Sequence, residues 1–141
     1  MRRLLTILLA VSLLSLPVQA QQKQKPKQDC DIIPLAFTPG QLQDIYKYYN
    51  RTYWDGKLPA NTTIVWTYPG NDRFGETQQE ADGRFVIRLD PIKNREGNVA
   101  KTTILHEMCH IKTYGERPDH GARWLAELHR IMLEGAFDDL V

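Results

Sequence analysis

The sequence predicts an α+β domain in which one helix and three strands precede two further helices. Three observations point to it. Leu42, Ile45, Tyr46, Tyr49 and Tyr53 recur at helical spacing, and two more helical patterns follow residue 97. Between these, residues 62–68 and 84–90 are rich in β-branched and aromatic side chains, with no helical pattern separating them. Strands grouped together, rather than alternating with helices, exclude an α/β order. A chain of 141 residues can bury one moderate core, and 42% hydrophobic with 25% charged residues is ordinary globular composition. There is no internal repeat.

The first residues read as a signal rather than as fold. Met1-Arg2-Arg3 is basic, residues 4–16 form an apolar run too short for a membrane span, and Val18 and Ala20 are small residues at a cleavage site. A secretory signal peptide over 1–20 implies export to the periplasm or the exterior. The alternative is an uncleaved anchor. With the leader removed, no membrane span remains. Losing Arg2 and Arg3 takes the formal charge from +1 to −1. That balance argues against nucleic acid as a partner, because broad binding to phosphates needs a basic surface. Residues 21–37 begin QQKQKPKQ, polar and without apolar side chains, and are expected to be a flexible linker ahead of a domain over 38–141.

The domain opens with Thr38-Pro39, an N-cap followed by proline at the first helical position, and Asp55-Gly56 ends that helix. Residues 62–68 (TTIVWTY) are the first strand, and Pro69-Gly70-Asn71-Asp72 is a turn cluster. Residues 73–80 are a weaker, polar strand. Asp82-Gly83 signals a hairpin, and Phe85, Ile87 and Leu89 alternate on one face of the third strand until Pro91. An antiparallel three-stranded sheet is expected. A helix then spans about 98–114. After a break at 115–118, Asp119 is a candidate cap for a last helix carrying Trp124, Leu125, Leu128, Ile131 and Met132 on one arc, with Gly135 closing it.

The helix over 98–114 carries the chemistry. His106, Glu107 and His110 form H-E-x-x-H. Four residues of helix turn about 400°, so the two imidazoles stand one turn apart on one face, suited to bind a single Zn²⁺. Glu107 projects beside them and suits proton abstraction from a zinc-bound water rather than coordination. Val99, Ala100, Ile104, Leu105, Met108, Ile111 and Tyr114 make this helix apolar on most sides, so ionisable groups on it need partners, and a metal supplies them.

A catalytic zinc site takes three protein ligands and a water. The candidates after His110 are Glu116, His120, Glu127 and His129. Placed on the last helix, His120 lies at the start, at the edge of the buried arc, where a ligand facing the preceding helix belongs. His129 falls on the opposite, solvent side. Glu127 shares the side of His120 two turns on, and is the alternative as ligand or as acceptor for a ligand's N–H. Glu116 stands where the pattern H-E-x-x-H-x-x-G-x-x-H has its last histidine. Thr113 replaces the glycine of that pattern, which therefore fails. Cys109 reads as a small buried hydrophobe, with a bridge to Cys30 as the alternative. Two cysteines cannot build a four-cysteine zinc ribbon.

His106-Glu107-Met108-Cys109-His110 with His120-Gly121 and Trp124, preceded by Tyr53-Trp54-Asp55-Gly56-Lys57-Leu58-Pro59 and the strands around 63–66 and 85–89, resembles the SprT-like family of zinc metallopeptidases. The resemblance covers about 38–133. It implies a small zincin-like domain, His106, His110 and His120 as zinc ligands, Glu107 as the catalytic residue, and a protein or peptide substrate. Better-known members cleave proteins crosslinked to DNA and carry a ribbon or basic segment that this chain lacks. The expected function is therefore an exported zinc-dependent endopeptidase. The alternatives are a non-catalytic zinc-stabilised binding module and a DNA-associated protease. A strand edge, with residues 84–90 as the candidate, would hold substrate backbone, and Tyr68, Arg73 and Tyr114 are candidates for stabilising an oxyanion.

Overall fold

A computed structural model describes residues 35–140. The leader, Cys30 and most of the proposed linker lie outside the described residues. Phe37, expected at the linker's end, packs against the core, and its carbonyl accepts a hydrogen bond from the Trp66 indole at 2.8 Å.

Helix α1 (Pro39–Trp54) starts in a capping box: the Thr38 N–H donates to Gln41 Oε1 and the Gln41 N–H to Thr38 Oγ1. It stops at Asp55, which is left-handed at φ 53°. Leu42, Tyr46, Tyr49 and Trp54 are its buried stripe. Asn50, also buried, closes the exit by bonding both the N–H and the carbonyl of Leu58.

Strands β1 (Thr63–Trp66), β2 (Gly75–Gln79) and β3 (Phe85–Leu89) form one sheet in the order β1-β3-β2. The expected all-antiparallel sheet is corrected: β2 and β3 are antiparallel, but β1 and β3 are parallel. The tight turn at Gly83 (φ +83°) forces the first pairing. Residues 67–74 carry the chain past a vacant strand position, and β3 returns into it. Residues 84–90 are thus the centre of the sheet, not an edge, which is why Phe85, Ile87 and Leu89 are almost wholly buried. The two edges are β1, beside α1, and β2, beside α2.

Helix α2 (Gly97–Lys112) buries Ala100, Thr103, Ile104, Leu105, Glu107, Met108, Cys109 and Ile111 against the sheet and its neighbours. It is enclosed on most sides, as its apolar pattern requires. Tyr114 lies beyond its end and is half exposed. Helix α3 (Ala122–Leu133) begins later than expected. Gly121 is its N-cap, Asp119 pairs with Arg117 instead, and His120 precedes the helix. Trp124 and Ile131 are buried, whereas Leu125 and Met132 are more than half exposed, so the buried arc is narrower than the apolar one.

Candidate metal centre

Helical geometry sets His106 and His110 one turn apart on α2, and the loop after Thr113 brings His120 onto them. The three Nε2 atoms form a triangle: 3.3 Å between His106 and His110, 3.1 Å from His120 to each. Trp124 packs beneath, its ring 4.7, 5.4 and 4.4 Å from those of His106, His110 and His120. Burial, reinforced by the neighbouring histidines, pushes His106 and His110 down to about 4. Both are therefore neutral imidazoles at neutral pH, with ring lone pairs available.

Three imidazole nitrogens turned toward one another repel unless a cation lies between them. The triangle also has the right size. Ligand nitrogens around tetrahedral zinc at 2.0–2.1 Å stand roughly 3.3–3.4 Å apart. A group of three His side chains that could hold a metal ion is thus formed by His106, His110 and His120. It faces a cleft of about 1140 Å³, which leaves a side open for a fourth partner.

Glu107 lines the same cleft but is only 4% exposed. Its Oε2 accepts a hydrogen bond from the Thr77 hydroxyl at 2.8 Å. The strand β2 lies so close that a Cβ at Gly75 would come 2.9 Å from Oε1 and 2.7 Å from the Thr103 methyl. Burial pushes the Glu107 carboxyl up to about 7, against the pull of the Thr77 hydrogen bond. Thr103 in turn donates to Asn94, which bonds the Phe74 carbonyl and so pins the start of β2 over α2.

The other candidates do not join the three histidines. His129 is exposed on the far side of α3. Glu127 accepts from the Trp54 indole and from Arg130, each at 2.6 Å, in a separate depression between α1 and α3. Glu116 points at the start of α3, where it accepts backbone N–H groups. Arg73 lines the cleft paired to Glu76, and Tyr114 lines it edge-on to Phe85. Tyr68 is two-thirds exposed and is not among the cleft walls. Sequence reasoning missed Gly75 and Thr77. A lone glycine opening a polar strand was the available signal, since glycine in a strand marks close approach of another group.

A small α+β domain with H-E-x-x-H on a buried helix and a third histidine from the following loop defines a zincin-like protein. The chain belongs to the SprT-like family, whose sequence model matches residues 42–138, and SprT-like domains are related to zincin-like metallopeptidases.

Proposed function

We propose that this protein is a zinc-dependent endopeptidase exported from the cytoplasm. The convergence of three histidine Nε2 atoms within 3.1–3.3 Å, in a cleft that also holds the Glu107 carboxylate, carries the reading. His106, His110 and His120 would hold the ion. When bound, zinc supplies a Lewis acid for the scissile carbonyl and lowers the pKa of water. Glu107 Oε1, the oxygen not held by Thr77, takes the proton of the attacking water and delivers it to the leaving nitrogen. Burial, which raises this carboxyl's proton affinity, suits a group that must first take a proton and then give it back. The outer edge of β2, lining the cleft, offers its unpaired backbone groups to an extended substrate segment. The export reading rests on Arg2, Arg3, the apolar run and Ala20. It is tested by sequencing the mature N-terminus, expected near Gln21. An intact Met1 on cytoplasmic protein overturns it.

The decisive experiment uses Glu107→Gln. An amide keeps the shape and cannot take the proton. The variant should retain one zinc per chain and its fold while losing about 10²–10⁴-fold in hydrolysis of an unfolded protein substrate. If the zinc-loaded wild type hydrolyses nothing and Glu107→Gln is indistinguishable from it, the zinc is structural and the chain is a binding module.

A further inference from the structure

Glu116 spans the entrance of α3. Its Oε1 accepts the Arg123 N–H and its Oε2 the Trp124 N–H, both at 2.8 Å. Gly121, the N-cap, makes no side-chain cap of its own. A Cβ at Gly121 would lie 2.6 Å from Glu116 Oε1, so the carboxylate occupies the place a side chain would take. The residue before Gly121 is His120. The residue whose N–H binds Oε2 is Trp124, whose indole packs against all three imidazoles at 4.4–5.4 Å. One carboxylate therefore fastens the loop leaving α2 to the first turn of α3, packs against Gly121 beside the third histidine, and holds the backbone of the tryptophan beneath it.

We propose that Glu116 is a positioning residue of the metal centre, holding His120 against His106 and His110 through Gly121 and Trp124. This rests on the three histidines being the zinc ligands. Without the carboxylate, two N–H groups of the first turn must find water, and residues 117–121 lose their anchor. Groups that orient metal ligands typically change metal affinity by about 10–100-fold when removed.

The test measures zinc affinity of the full chain by competition with a chromophoric chelator, and the visible spectrum after Co²⁺ substitution. Urea unfolding of the metal-free protein runs alongside. Glu116→Ala should weaken zinc binding by about 10-fold or more and alter the Co²⁺ bands. Glu116→Gln, which keeps one carbonyl acceptor, should fall between Glu116→Ala and wild type, and it carries the comparison if Glu116→Ala does not fold. Lower metal-free stability with wild-type zinc affinity and spectrum overturns the proposal, because Glu116 is then only a helix cap. His120→Ala separates the two readings. If it binds zinc as wild type does, the three-histidine centre itself is wrong. If it loses zinc while both Glu116 variants bind normally, only the positioning role fails.

Discussion

Thr77 has one hydroxyl proton to donate, and its Oγ1 lies 2.8 Å from Glu107 Oε2 and 3.1 Å from the Glu107 carbonyl oxygen. The carboxylate is the nearer and stronger acceptor, so the bond occupies Oε2 and leaves Oε1 as the other oxygen. Thr77→Val keeps the shape and removes the donor. With a hydrogen bond to a charged group worth about 1.5–3 kcal/mol, kcat should fall roughly 10-fold or more. KM and zinc content should stay unchanged, and Thr77→Ser should restore the rate. Steady-state kinetics on a peptide, with metal analysis, decide it; an unchanged kcat means the bond does not aim the base. Which histidines meet was legible in the sequence, because helical spacing is local and His120 follows in a short loop. The pocket of Glu107 was not, because it is built by Gly75 and Thr77, some 30 residues upstream on a strand with no apolar alternation. The misplaced cap at Asp119 has a similar origin. Capping signals are read next to the helix, and here the carboxylate comes from Glu116, seven residues before the amide it binds.

At the level of elements, α1 and α3 are joined by Glu127, which receives the Trp54 indole N–H and the Arg130 guanidinium while Arg130 also reaches the Tyr53 carbonyl. Burial opposes its charge, but these two hydrogen bonds together hold the Glu127 carboxyl below its ordinary range. Glu127→Ala leaves the Trp54 N–H without its acceptor and should cost about 1–3 kcal/mol in urea unfolding, with zinc content untouched. Loss of zinc in this variant would return Glu127 to the ligand set. A lowered folded-state pKa means the contribution is present above the unfolded value near 4.5 and is lost as pH falls through the folded one. Helix α1, the strands and α2 were readable from periodicity and caps to within a few residues. Strand order was not. The hydrophobic pattern says that β3 is buried on one face, but it does not say which strands flank it, and consecutive strands gave no sign that the 67–74 link skips a position.

For the whole molecule, the burial of His106 and His110 couples stability to pH even without metal. Both have folded-state pKa values near 4, below the ordinary 6.5. Between those values the unfolded chain binds protons that the native chain does not, so stability falls as pH drops from 6.5 toward 4. Chelator-treated protein should show a Tm that declines across this window. The double variant His106→Ala/His110→Ala should show a flatter profile. Saturating zinc should raise Tm at pH 7, by an amount that grows with free zinc as ligand linkage requires. The core itself, with Leu42, Ile87, Leu89, Ile104, Met108 and Ile131 fully enclosed, does not pass through the metal centre, so the stripped protein should remain folded.

Gly75 has a consequence for how this sequence will tolerate change. It sits on an outer strand, where a mutational scan normally finds substitutions harmless, yet any side chain there meets Thr103 and Glu107. In a library sorted for expression, position 75 should look less permissive than other positions on β2, because a Cβ there must displace the buried Thr103 methyl. In the same library sorted for hydrolysis, it should behave as though it belonged to the active site.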